Sequence, residues 1–175
     1  MKLRRIFSCI IAFAIAITLL PKVNVQAEES IPVAPTDFGL PISVTTYEDE
    51  EGCVVTERIY FYSDTSSKLR GKSGEGWYRN EKTHEWKAGA VTTYYAQGYF
   101  TWGDGEVSVS NVTGGANNVN GITLSNKLTT SGTGRYGFVF NKYAYVTFSC
   151  TATNLVGLTQ DLSVTIRVSE SGNTI

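Results

Sequence analysis

The sequence predicts an all-β chain: a single antiparallel β-sandwich, immunoglobulin-like or jelly-roll-like, behind a cleaved N-terminal signal peptide. Three observations carry that expectation. Apolar residues beyond the leader recur with period two and no stretch shows a helical period. Clusters of Gly, Asn, Ser and Thr punctuate these alternating runs. A basic end, an apolar run and a small-residue cleavage pattern occupy the first 27 positions.

The leader reads MKLRR, then the uncharged IFSCIIAFAIAITLL, then PKVNVQA, with Val25 and Ala27 suited to the pockets of a signal peptidase. Its apolar run falls short of the roughly 20 residues that span a bilayer, so no stable membrane anchor is expected. Cys9 lies inside that run without a lipoprotein box before it. The expected organisation is a signal peptide over 1–27, a flexible lead-in over 28–38, the sandwich over 39–170 and a short tail over 171–175. The expected product is a secreted, extracellular protein of bacterial type.

Four of the fifteen basic residues lie in the leader, which leaves eleven against sixteen acidic ones, a net charge of −5. That balance disfavours nucleic acid, whose binding requires neutralising phosphates. The charge is uneven: residues 28–57 hold eight acids and no base, whereas 58–90 hold seven bases and four acids. The basic stretch suits an anionic polymer or surface.

Taken in order, the strands read as follows. Leu40, Ile42 and Val44 share one face of the first. Cys53, Val55, Ile59 and Phe61 share one face of the second, with Thr56, Arg58 and Tyr62 opposite. Residues 90–102 place Ala90, Thr92, Tyr94, Ala96, Gly98, Phe100 and Trp102 inward and Tyr95 and Tyr99 outward, about 13 Å apart along the strand. Gly103-Asp104 suits a type II′ turn that sets Trp102 opposite Gly105, Phe100 opposite Val107 and Gly98 opposite Val109. Ala144, Val146, Phe148 and Cys150 form one face of a later strand, and Leu162, Val164, Ile166 and Val168 one face of the last. Residues 63–76 and 112–134 read as polar loops, the second with one short strand near 122–125. The total is seven to nine short strands.

Two cysteines remain beyond the leader, Cys53 and Cys150, both on inward faces. In an oxidising compartment they form either a disulfide or two buried thiols that pack as small apolar groups.

No catalytic residue and no cofactor is expected. His84 is the only histidine, reads as a surface residue beside Trp86, and has no nucleophile motif around it. One histidine and two separated cysteines lack the paired spacing of zinc sites, so no metal is expected. The acidic run EDEEG at 48–52 lacks calcium-loop spacing and reads as a solvated turn closed by Gly52. Asn111-Val112-Thr113 fits a glycosylation acceptor, to which a bacterial leader lends no weight.

The most suggestive stretch is 68–87, where six bases lie among Trp77, Tyr78, His84 and Trp86. Aromatic faces with interleaved cations stack on sugars and pair with anions. Trp77, Tyr78, Arg79, Trp86 and Lys87, with Tyr95 and Tyr99, are therefore the candidate binding residues. The leading expectation is a non-catalytic module that binds a cell-wall glycan or an anionic envelope polymer. Two alternatives are an antagonist acting on a competitor's envelope and a hydrolase using a carboxylate pair.

Overall fold

The computed structural model describes residues 32–63, 73–119, 121–137 and 141–175. The expected leader, 1–27, lies outside these residues, as does 64–72 of the expected loop. The described residues form strands β1 (Ser43–Glu48), β2 (Val54–Tyr62), β3 (Gly74–Glu85), β4 (Val91–Gly103), β5 (Glu106–Val119), β6 (Thr123–Tyr136), β7 (Asn141–Thr153) and β8 (Thr159–Ser169). No helix occurs among the described residues. The chain is all-β, with one sheet ordered β1-β2-β3-β4-β5 and a second ordered β6-β7-β8, every pairing antiparallel.

Each strand pairs with its neighbours in sequence, so both sheets are meanders. Immunoglobulin-like and jelly-roll sandwiches are instead defined by Greek-key connections, which the described strands do not make. Strands of up to fourteen residues also correct two expected loops: Gly74–Gly76 open β3, and most of 112–134 belongs to β5 and β6.

Alternation places the core between the sheets. Tyr94, Ala96 and Phe100 of β4 meet Ala144, Val146 and Phe148 of β7 and Val164, Ile166 and Val168 of β8, all buried in one cluster. Fully burying such a side chain stabilises by about 1.5–3 kcal/mol, and these positions dominate the fold. The Tyr78 hydroxyl donates to the Gly172 carbonyl at 2.6 Å, tying the chain end to that core.

The β4–β5 hairpin turns one step later than expected. Asp104 and Gly105 carry φ of 52° and 75°, the paired positive values of a type I′ turn, for which Asp-Gly is a preferred sequence. Trp102 therefore faces Val107, and Phe100 faces Val109. The register moves by two residues, so every side chain keeps its expected face.

Further along, parity does change. Gln97 pairs with Thr113 but Tyr99 with Ser110, so β5 carries one extra residue opposite Gly98. Asn111, with φ of 49°, takes the left-handed conformation that asparagine tolerates better than most residues. Before this bulge Val107 and Val109 point inward, and after it Gly114 and Ala116 do. A Cβ on Gly114 would lie 2.7 Å from Phe148, so the bulge brings backbone directly onto the core. Asn126, with φ of 51°, plays the same part in β6, where Ser125 pairs with Thr151 but Leu128 with Ser149.

The expected first strand departs from its burial, and β1 itself begins only at Ser43. Leu40, Ile42 and Val44 are exposed, at 88%, 57% and 55%. The five-stranded sheet is wider than its partner, and β1 is an edge strand that contributes nothing to the shared core. Alternation describes a pleat and does not say whether anything covers it.

Candidate functional site

Three hairpin turns and the β5–β6 link converge at one end of the sheets. The turns share one construction: Asp49 to Cys53 (DEEGC), Trp86 to Ala90 (WKAGA) and Asn154 to Leu158 (NLVGL). In each, the first residue's N–H donates to the carbonyl of the fifth, and the glycine N–H donates back to the carbonyl of the first. Gly52, Gly89 and Gly157 supply the required positive φ of 73°, 79° and 83°. These bonds set the first and fifth residues side by side, and the two residues before each glycine are exposed.

These turns enclose a cleft of about 860 Å³. Trp86, Ala90 and Ile122 line it with Leu155, Val156 and Leu158, and Cys53 reaches it from the first turn. Leu155, Val156 and Leu158 are 89%, 80% and 69% exposed, although nothing in the turn requires aliphatic residues there. Such a contiguous apolar tip differs from singly scattered surface hydrophobics. The polar rim comprises Glu51, Lys87, Asn154 and Gln160.

Beside the cleft lies a polar cluster. His84 points inward from β3 and is 1% exposed, correcting its expectation as a surface residue. Its ring stacks on Trp86 with centroids 4.3 Å apart, and the Trp86 indole N–H donates to Thr92 Oγ1 at 3.0 Å. His84 Nε2 is 3.4 Å from Asp49 Oδ2 and has no hydrogen-bond partner. Burial pushes the imidazole below its ordinary pKa, outweighing the opposite pull of Asp49 and Glu51, so the ring is neutral at neutral pH.

The acidic run does form a turn closed by Gly52, but one of its carboxylates turns inward. Burial alone would raise the Asp49 pKa. The Cys53 N–H, the Gln160 amide and His84 together outweigh it and hold the carboxyl below its usual range. Asp49 Oδ1 accepts from Cys53 N–H at 2.7 Å, and Oδ2 accepts from Gln160 Nε2 at 3.2 Å. The same amide donates to Glu51 Oε2 at 3.0 Å, while Gln160 Oε1 is buried without a partner. One donor atom each from Asp49, Cys53 and His84 lies within 4.8 Å of the other two.

The residues expected to bind are mostly elsewhere. Trp77 and Tyr78 are buried, at 3% and 5% exposure, and offer no stacking face. Trp77 packs edge-on against Tyr99 at 5.6 Å on the outer side of the large sheet, and Tyr78 lies in the core beside Phe61 and Phe100. Arg79 pairs with Glu81 at 2.5 Å, and its guanidinium covers the Tyr95 ring at 3.9 Å. Phe38 adds a further ring 5.8 Å from the same guanidinium. Of the expected set only Trp86 and Lys87 line the cleft.

Cys53 and Cys150 are both free and buried, so the disulfide alternative gives way to two thiols. Cys150 belongs to the shared core and Cys53 does not. Burial raises the Cys150 pKa, leaving it an unreactive packing group.

Compared with protein-family models, with curated proteins and with solved structures, the chain matches none of them.

Proposed function

We propose that the protein is a secreted β-sandwich that acts outside the cell by contact, its end cleft gripping a partner chain that presents an apolar side chain beside a basic one. The exposed aliphatic tip of Leu155, Val156 and Leu158 over the apolar cleft carries this reading. Removing such side chains from water is worth about 1.5–3 kcal/mol each before the costs of association, enough for a specific contact. Glu50, Glu51 and Glu85 are exposed at the same end beside Lys87, which favours a cationic neighbour. A glycan or anionic polymer would draw instead on the aromatics of 77–99, and the burial of Trp77 and Tyr78 weakens that reading.

Selection of displayed random peptides on the purified protein, with a Val156→Asp variant as counter-target, tests the proposal. Peptides pairing Leu, Ile or Phe with Lys or Arg should be enriched on the wild type and lost on the variant. Enrichment equal on both proteins would overturn it. Sedimentation with isolated cell walls at low salt that survives Val156→Asp would return the contact to the Tyr95–Tyr99 face.

A further inference from the structure

We infer that Asp49, Cys53 and His84 form a site for one divalent transition-metal ion of the zinc class. The inference is independent of what occupies the cleft. The donor set is a sulfur, an imidazole nitrogen and a carboxylate oxygen, the three types that bind zinc. Calcium and magnesium take oxygen almost exclusively, so the thiol and imidazole select against them. The donors lie within 4.8 Å of one another. Tetrahedral zinc at about 2.0–2.3 Å from each ligand needs donors about 3.3–3.8 Å apart. A side-chain adjustment of about 1 Å closes the difference.

The local fold explains the convergence. The DEEGC turn sets Asp49 beside Cys53, and its backbone hydrogen bonds fix both. Strand β3 brings His84 alongside β2, its Cα paired with that of Val55. Cys53 N–H holds Asp49 Oδ1 and leaves Oδ2 toward the imidazole, as an outer partner orients a metal-bound carboxylate. Stacking on Trp86 fixes the ring.

One unpartnered atom belongs to the donor set itself, and a second belongs to a residue bonded to it. His84 Nε2 is buried and unpartnered, as is Gln160 Oε1, whose amide nitrogen already bonds Asp49. Buried polar atoms are nearly always satisfied, and a cation at this point satisfies the imidazole, with the fourth position left to solvent or a bound ligand. A cysteine-nucleophile triad explains the cluster less well. In a triad the nucleophile and the carboxylate use opposite nitrogens of the ring. Here one nitrogen is near both the thiol and the carboxylate. Binding releases the thiol proton to solvent and forms the metal–thiolate bond, with no change of oxidation state.

Cobalt(II) titration of the purified protein, with its thiols kept reduced, tests the site. One equivalent should produce a near-ultraviolet sulfur-to-cobalt charge-transfer band that zinc displaces. Cys53→Ser should abolish the band, and Cys150→Ser should keep it. Zinc at a hundredfold excess over its Kd should raise the wild-type Tm by roughly 5–10 °C, a readout that needs no variant. Absence of the band together with a Tm unmoved by zinc or chelator overturns the site. A band that survives in Cys53→Ser does so as well.

Discussion

Two regions of this molecule carry aromatic and charged side chains, and they use them in opposite ways. On the outer face of the five-stranded sheet, Trp77, Arg79, Tyr95 and Tyr99 pack on one another, ring against ring and guanidinium over ring, with Glu81 closing the charge, although the buried Trp77 Nε1 and Arg79 Nε have no hydrogen-bond partner. At the end of the sheets, Leu155, Val156 and Leu158 meet water, and His84 Nε2 and Gln160 Oε1 lack partners. A dense, colourful segment can bury its rings against its own neighbours. A region that leaves contiguous aliphatic side chains in water is where a second molecule gains most from binding.

The sharpest way to break this comparison is Trp77→Ala. If the outer face is structural, truncating this buried ring costs about 3–5 kcal/mol of stability, measured by denaturant unfolding. A loss under 1 kcal/mol, with binding impaired, would transfer function to that face. Tyr78→Phe probes the core behind it and should cost about 1 kcal/mol through the lost hydrogen bond to Gly172. Burial pushes the Tyr78 phenol up to about 12 and raises Tyr94 as well, both from an unfolded value near 10. The folded state holds these protons longer, so stability is full below pH 10 and falls as pH rises above it. Tyr78→Phe should reduce that alkaline slope in unfolding measured from pH 9 to 11. The smallest effect belongs to the end cleft. Leu155→Ser should change stability by less than about 0.5 kcal/mol, since the side chain is almost wholly solvated. A larger loss in thermal unfolding would make the tip a structural element after all.

Much of the fold was legible because a pleat has only two faces. The inward sets of β4, β7 and β8 follow from alternation alone, and a two-residue error in the Gly103–Gly105 turn left each of them in place. The bulges hid because Asn111 and Asn126 break alternation within polar runs that resemble loops. The exposure of Ile42 and Val44 depends on sheet width, which no local pattern encodes. At the site, Trp86 and Lys87 were legible, but Asp49, Cys53 and His84 were not read together. Metal-ligand spacing is a signal within one loop, whereas His84 arrives from a neighbouring strand. One available cue was the recurrence of glycine fourth in DEEGC, WKAGA and NLVGL, which marks three turns of one build at one end.

The asparagine bulges also set what kind of change the strands absorb. Each acts as a frameshift in the pleat: because Asn111 is one residue too many, Val109 and Gly114 face the same side although they lie five positions apart. Deleting Asn111 removes the bulge and keeps Gly114 opposite Ala96, whereas one more residue inserted there would turn Thr113 and Gly115 toward Phe148 and force a side chain where only a hydrogen now fits. Lengthening at that position, rather than replacement or shortening, is therefore the change β5 absorbs least.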